Sequence, residues 1–412
     1  MGEGVASRTL MILFDNYYPR DLRVRKEIST LNNLGIHVDL IVRRGEGEPE
    51  REGGDLLNIK RVSFPLDRRG GTIYRILYYA IFRHTALLET LRRRKTKYSL
   101  IHVHDLPAAF SSIIAGKLLR IPVIVDLHED WPSLILLSAR PDSLISRFLS
   151  RSLYYLLRLE EWLVIRLADG IITISEAFRE DIIRRGAKSE KVVSVENVVD
   201  LKEMRRVEEA VKRRGYEKGR RFRLVYVGGL TPSQGVDVPI RAVKELEGKL
   251  DLEFIIVGDG MELPKLRALV RDLGLEGRVV FTGWLPFEDA MSYVASADLC
   301  VRSGVRSKQL EISLPNKIFQ YMYFAKPIAA ADFSNVRKII NECRCGFLFE
   351  PGNHVDLAKK IIDNMDQLDE MGRRGREYVE NKMNWDIVSR KLIGLYSKII
   401  KLPGAEDPEN GS

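Results

Sequence analysis

At 412 residues, with 45% hydrophobic, 30% charged and 8% aromatic side chains, the chain has the composition of a globular protein of two or more domains, which excludes disordered and collagenous classes. Its apolar runs fall far short of the roughly 20 residues of a membrane span, and Glu3 and Arg8 stand where a signal segment's apolar core would begin, so a cytoplasmic protein is expected. The net charge of +9 comes without a recognisable nucleic-acid module, and the three cysteines have neither disulfide-framework nor zinc spacing.

In chain order, short β-rich runs alternate with helical stretches, the pattern of parallel sheets covered by helices. Strands are predicted at 10–14, 38–42, 100–103, 123–127, 170–174 and 192–195, then at 224–227, 252–257, 278–282, 299–302, 327–331 and 346–349. Within residues 60–100, eleven Lys and Arg stand against Asp67 and Glu89, interleaved with Tyr74, Ile76, Leu77, Tyr78 and Phe82. Such a segment reads either as a solvated basic helix face or as a surface for anionic lipid headgroups or a phosphorylated substrate. Residues 144–167 carry Arg147, Arg151, Arg158 and Arg166 among Phe148, Tyr154, Tyr155 and Trp162, and read as a helix on the sheet or as part of the same surface. Residues 202–222, charged and poor in large apolar side chains, are predicted as a helix fragment plus a linker. The domains then run over 1–201 and 223–385, followed at 386–412 by a helix crossing back to the first domain and a polar tail. Each domain is expected to be a doubly wound α/β unit, with ligands beyond the carboxyl ends of the strands.

Several residues just after predicted strands could carry chemistry. His128 follows 123–127 and precedes Glu129, where an imidazole meets a ligand rather than the core; His102, inside the neighbouring strand, reads as a core residue. In the second half, Val225-Tyr226-Val227 runs into Gly228-Gly229, and Ile255-Ile256-Val257 into Gly258-Asp259-Gly260. Glycines there bring backbone N–H groups close to an anion, but neither run is a GxGxxG or Walker loop, which disfavours nicotinamide and P-loop chemistry. Ser313 is the predicted cap of a helix with Pro315 just inside and Lys317 in its first turn. A cation opposes the helix dipole at that end unless an anion binds there. With no His/Asp/Glu set at metal spacing, phosphates are expected to rest on Lys, Arg and backbone N–H groups, without metal or cofactor.

In order along the chain, Asp21-Leu22-Arg23-Val24-Arg25-Lys26-Glu27, Ile101-His102-Val103-His104-Asp105, the run ending in His128-Glu129, Ala168-Asp169-Gly170, Glu196-Asn197, Val227-Gly228-Gly229 with Gln234-Gly235-Val236-Asp237, Val257-Gly258-Asp259-Gly260, Thr282-Gly283-Trp284 and 314–327 resemble the family 4 (group 1) glycosyltransferases. The resemblance implies the GT-B fold, two facing Rossmann-like domains, and transfer of a hexosyl group from a UDP- or GDP-sugar to a glycan or lipid-linked acceptor. It implies retention at the anomeric carbon, no metal and no cofactor besides the donor; the basic segment 60–100 and residues 144–167 add the expectation of a peripheral place on the inner face of the cell membrane. The donor's base is expected near Gly283 and Trp284, its ribose at Gln320, and its diphosphate near Gly228, Gly229, Gln234, Gly258 and the helix opened by Pro315, Asn316 and Lys317. His128 is expected on the transferred sugar, with Asp21, Arg23 and Glu129 on the acceptor side.

The chain departs from the family pattern at the phosphates. Where many members carry an Arg and a Lys, it has Gly229 and Gln234; Gln320 replaces the second Glu of the E-x7-E signature. The first falls at Ile312, leaving Glu311 as a displaced catalytic equivalent. Lys317, Arg302, Arg306 and Lys308 are candidates for the missing cations. Two readings stay open: an active enzyme with a rearranged phosphate site, or a non-catalytic GT-B protein that binds a nucleotide-sugar or a partner subunit.

Overall fold

Leu10, Met11, Ile12 and Leu13 are wholly buried in succession, which marks a central parallel strand covered on both faces. The structure, a computed structural model, describes residues 7–13, 16–63, 72–137, 144–215 and 219–402. The chain divides into two units, Met1–Glu196 with Ser389–Ser412, and Asn197–Val388.

The first unit is built on β1 (Arg8–Leu13), β2 (His37–Arg43), β3 (Arg51–Gly53), β4 (Leu57–Val62), β5 (Leu100–His104), β6 (Val123–Leu127), β7 (Gly170–Thr173) and β8 (Val192–Ser194). They form one eight-stranded sheet in the order β3-β4-β2-β1-β5-β6-β7-β8, parallel throughout except for the β3–β4 pair. The strand order reverses between β1 and β5, which places a ligand crevice at their carboxyl ends. Phe14, predicted in the first strand, lies outside the described residues. β3 and β4 escape the sequence reading because β4 carries Asn58, Lys60 and Arg61; the inward Arg61 is held by Glu48 at 3.2 Å and Glu52 at 2.8 Å.

Part of the basic segment is paired within this unit. Lys60, Arg92 and Arg93 converge on Glu89 at 2.7, 3.0 and 2.7 Å, and Arg83 pairs with Glu160 at 2.6 Å. Burial would raise Glu89, but Lys60 and Arg93 bring it down to about 2. Asp67, Arg68 and Arg69 lie outside the described residues, as do the side chains of Tyr74, Ile76 and Tyr78 and the tail from residue 403. The helix Leu144–Leu167 has two faces. Leu157, Val164 and Ile165 are buried, and Arg158 turns inward to Glu161 at 2.8 Å and Asp130 at 3.1 Å; Phe148, Tyr155, Leu159 and Trp162 are exposed.

The second unit holds β9 (Phe222–Val227), β10 (Leu252–Val257), β11 (Val279–Gly283), β12 (Leu299–Arg302), β13 (Ile328–Ala331) and β14 (Gly346–Phe349). They form a six-stranded sheet in the order β11-β10-β9-β12-β13-β14, all parallel. The order reverses between β9 and β12. The helix fragment expected here is the helix Leu201–Arg214, which takes up most of the predicted linker, capped by Asp200 and burying Met204, Val207 and Val211. Three apolar residues at helical spacing suffice to seat it on the helix Phe287–Ser296, with Arg214 on Asp289 at 2.5 Å. Glu208 further binds the Tyr323 hydroxyl at 3.0 Å.

The helix Trp385–Ile399 spans the division between the units, which falls at Val388. Trp385 donates its N–H to Val199 at 2.9 Å in the second unit, while Lys391 pairs with Glu196 at 3.0 Å in the first. Cys343 and Cys345 bring their sulfurs side by side across Arg344, which takes a left-handed φ of 51° just before β14.

Candidate functional site

In the second unit the carboxyl end of β9 is anchored by Tyr321, whose hydroxyl accepts the Val227 N–H at 3.0 Å. The chain then turns at Gly228 with φ +147°, a conformation that only glycine adopts freely. A Cβ there would meet the Lys317 ammonium at 2.6 Å, and a Cβ at Gly258 would fall 1.9 Å from the Gly228 carbonyl oxygen. At Gly229, in contrast, a Cβ would meet nothing within 4 Å, so space alone does not exclude the larger side chain of the family pattern.

Two cations gather against this turn. The Lys317 Nζ lies 4.1 Å over the Tyr226 ring and 3.5 Å from Gln234 Oε1, which also accepts the Tyr226 hydroxyl at 3.2 Å. Arg302, the last residue of β12, is 2% exposed; it stacks 4.4 Å over Phe333, and its Nη1 has no hydrogen-bond partner. Neither cation is ion-paired among the described residues. Desolvation, then Arg302, pushes Lys317 down to about 7, and burial pushes Arg302 down to about 10. Desolvated charge without a counter-charge is costly; an anion that brings its own charge removes that cost.

The helix Asn316–Tyr323 starts later than the Ser313 cap predicts. Pro315 holds the cap position without a side-chain cap bond, because Ser313 terminates the short preceding helix Lys308–Ile312. The first-turn N–H groups are therefore not side-chain capped, and Asn316 Oδ1 is buried without a partner. Gln320 follows Lys317 by one turn, at (i, i+3) spacing on the same side of the helix. Trp284 is 75% exposed just past β11, and the Gly283 carbonyl ties that end to Gly258 by a 2.9 Å bond from its N–H. Glu311 does not join the group: its carboxylate accepts the N–H and hydroxyl of Ser334 at 2.8 and 2.7 Å and pairs with Arg306 at 3.2 Å. Of the cations weighed from the sequence, Arg306 is thus engaged elsewhere and Arg302 joins Lys317. The aromatic platform Tyr226, inside an apolar strand, gave no sequence signal beyond being a polar tip in a core run.

In the first unit, His128 stands just past β6 between two carboxylates. Its Nε2 lies 3.2 Å from Asp126 and its Nδ1 3.7 Å from Asp105; its backbone N–H donates to Asp105 at 3.2 Å. Burial alone would lower its pKa, but Asp105 and Asp126 prevail and hold it up at about 10, so it is an imidazolium at neutral pH. Asp105 itself has φ +68°, a strained conformation for a residue with a Cβ. His104 Nδ1 lies 3.2 Å from His128 Nε2, and His102, buried as expected, has its Nδ1 2.8 Å from the Tyr396 hydroxyl.

Arg23, expected on the acceptor side, is buried instead. It binds Asp126 through two bonds of 2.8 and 3.0 Å, pairs with Glu27 at 3.0 Å and donates to the Val195 carbonyl at 2.6 Å. Asp21 caps the helix Leu22–Asn33 by accepting the N–H groups of Arg23 and Val24, while Glu129 is exposed beside His128. Burial raises Glu27, and Arg23 with His128 keeps Asp126 well below the usual carboxylate range against its own burial. Glu27, His102, His104 and Asp126 bring their ligand atoms within 4.8 Å of one another, a metal-capable set that sequence spacing missed because a helix supplies Glu27. Arg23 already occupies its anionic side, so a divalent ion there would face a guanidinium. The two Glu27 carboxylate oxygens and the Nε2 atoms of His102 and His104 are buried there without a hydrogen-bond partner.

Comparison with known proteins gives a consistent answer. The family described as Glycosyltransferase Family 4 matches residues 23–203, and that described as Glycosyl transferases group 1 matches residues 221–367. Alpha-D-kanosaminyltransferase of Streptomyces kanamyceticus is 25% identical over 331 residues, covering 76% of this chain and 82% of its own. GDP-mannose-dependent alpha-(1-6)-phosphatidylinositol monomannoside mannosyltransferase of Mycobacterium tuberculosis is 27% identical over 188 residues, covering 44% of this chain and 48% of its own. The crystal structure of Anabaena Alr3699/HepE in complex with UDP superposes with a TM-score of 0.67 at 17% identity, over 95% of this chain and all of that one. The chain belongs to the family 4, group 1 glycosyltransferases and has their GT-B fold.

Proposed function

We propose that the protein transfers a sugar from a UDP- or GDP-sugar to a lipid-linked or glycan acceptor, with retention at the anomeric carbon and without a metal. The observation that carries the donor half is the pair Lys317 and Arg302, unpaired cations beside two glycine turns and an uncapped helix start. As the sugar leaves, charge develops on the diphosphate, and fixed cations with N–H groups lower that barrier most when they bind the leaving group more strongly than the ground state. Trp284 offers an exposed face to the base, and Gln320 both donates and accepts toward the ribose. To the His128 imidazolium we assign a contact with the transferred sugar, and to exposed Glu129 a place on the acceptor side. A UDP complex of a structural relative and a GDP-mannose-dependent relative acting on a phosphatidylinositol glycolipid support both donor classes and a lipid acceptor.

The lipid acceptor gains support from the exposed row Phe148, Tyr155, Leu159 and Trp162, at helical spacing on Leu144–Leu167, with Arg166 stacked 4.1 Å over Trp162. Apolar residues flanked by arginines suit an anionic membrane surface, which shifts the membrane contact expected at residues 60–100 toward this helix. No described helix is long and apolar enough to cross a membrane. A peripheral position on the inner face of the membrane is therefore proposed.

The test is a thermal-shift screen against UDP, GDP, ADP, dTDP and CMP, since a ligand at 100 times its Kd adds about 2.7 kcal/mol. Stabilisation by one nucleoside diphosphate, followed by donor turnover that His128→Ala abolishes, is the expected result. Binding without turnover favours the non-catalytic reading that Gly229 and Gln234 left open.

A further inference from the structure

The second unit's phosphate site differs from an ordinary salt-bridge site in one respect: its lysine is partnered by everything except an acid. The groups that face Lys317 are the Tyr226 ring and hydroxyl from β9, the Gln234 amide from the turn after Gly229, and Arg302 from β12. On its own helix, Tyr321 is bonded to the Val227 N–H. The nearest acid that acts on this group, Glu311, acts on Arg302, and its oxygens are occupied by Ser334 and Arg306. Gln234 offers a neutral oxygen to the Nζ, which accepts a hydrogen bond from either the amine or the ammonium.

We propose that Arg302 and Lys317 are the cation pair that replaces the family's Arg and Lys, and that Lys317 takes up a proton together with the donor's diphosphate. This inference rests on the donor site of the preceding reading. The physical balance is simple. In the empty site a second positive charge beside Arg302 has no counter-ion and poor hydration, so the ammonium is disfavoured. A diphosphate introduces negative charge against both groups, favours the ammonium, and a proton from solvent completes the site: R–NH2 plus H+ gives R–NH3+, with no other bond changed. Arg302, held near 10 even in the empty site, remains the permanent charge. With Lys317 at about 7 before binding, linkage makes affinity fall as pH rises above that value. An ordinary exposed lysine, charged to about pH 10, would give no such dependence.

The experiment is isothermal titration calorimetry of the full chain with UDP and with GDP at pH 8, in buffers of differing ionisation enthalpy, which counts protons directly. Wild type should take up close to one proton per nucleotide beyond that taken up by Lys317→Arg, whose guanidinium is charged throughout. Lys317→Met should bind at least tenfold more weakly and also lack the extra proton. Arg302→Met should weaken binding while proton uptake falls, because the amine it depresses then titrates higher. Binding with equal proton uptake in wild type and Lys317→Arg overturns the inference and leaves the donor site standing. Failure of every nucleotide and of inorganic pyrophosphate to bind overturns the donor site itself, and the inference with it.

Discussion

The Lys317 Nζ lies 4.1 Å over the ring of Tyr226, and the oxygen it reaches, 3.5 Å away, belongs to the neutral side chain of Gln234. A lysine so placed meets an aromatic face and an amide, neither of which supplies a counter-charge when it is protonated. The family arrangement of a lysine at the Gln234 position would put a second ammonium against the first, so these two positions are coupled.

That coupling can be measured. Gln234→Lys alone is expected to weaken nucleotide binding, because two ammonium groups would share one small space. The double change Gln234→Lys with Lys317→Gln should recover most of the loss, giving a coupling energy of about 1–3 kcal/mol in a double-mutant cycle. Additive effects would show that the two side chains act independently.

Gly229→Arg is expected to be tolerated in the fold, since nothing lies within 4 Å of its Cβ position. It should tighten binding of the preferred nucleoside diphosphate by roughly tenfold, as one charge-assisted hydrogen bond contributes about 1.5–3 kcal/mol before side-chain ordering is subtracted. Calorimetric titration beside the wild type checks it.

His128 contributes to stability in a pH window set by its shift. Its folded pKa, about 10, lies above the unfolded value, so its contribution is fully present below about pH 6.5 and is lost as pH rises through 10. The melting temperature of wild type relative to His128→Gln should therefore decline between pH 7 and 10.5. A difference that stays flat across this range would show that Asp105 and Asp126 do not hold the imidazolium.

Arg23→Met leaves Asp126 and Glu27 buried without their guanidinium, and breaking a buried pair by removing one partner costs about 3–5 kcal/mol. The expected result is a large fall in the denaturation midpoint, with greater tolerance of Arg23→Met when Asp126→Asn is combined with it. Equal stability of wild type and Arg23→Met would contradict the buried network.

Exchanging Leu159 and Trp162 for Ser and Gln removes exposed apolar area without touching the buried face of Leu144–Leu167. Flotation with anionic vesicles should drop severalfold while the melting temperature holds. Unchanged flotation would place any membrane contact elsewhere.

Much of the architecture was legible because its determinants are local. Runs such as Val123–Leu127 and Leu252–Val257 are apolar throughout, which a strand covered on both faces requires, and the turn after β9 needs glycine at position 228 whatever surrounds it. The place of His128 just past a strand and of Lys317 in the first turn of a helix was likewise legible. What the sequence alone left undecided depends on partners distant along the chain. Arg23 was expected on the acceptor side through the family resemblance, which carries no information on burial, until β6 brought Asp126 beneath it. Glu311 looked catalytic by adjacency, until the helix Ser334–Cys343 offered its uncapped N–H groups to that carboxylate. Residues 202–222 read as a helix fragment and a linker because three apolar residues in a charged stretch do not give a helix its length until a second helix presents a surface for them. Whether a charge is paired, and therefore whether it awaits a ligand, is a property of three-dimensional neighbours: only the tertiary structure separates Arg302, buried without a counter-charge, from Arg306, already held by Glu311.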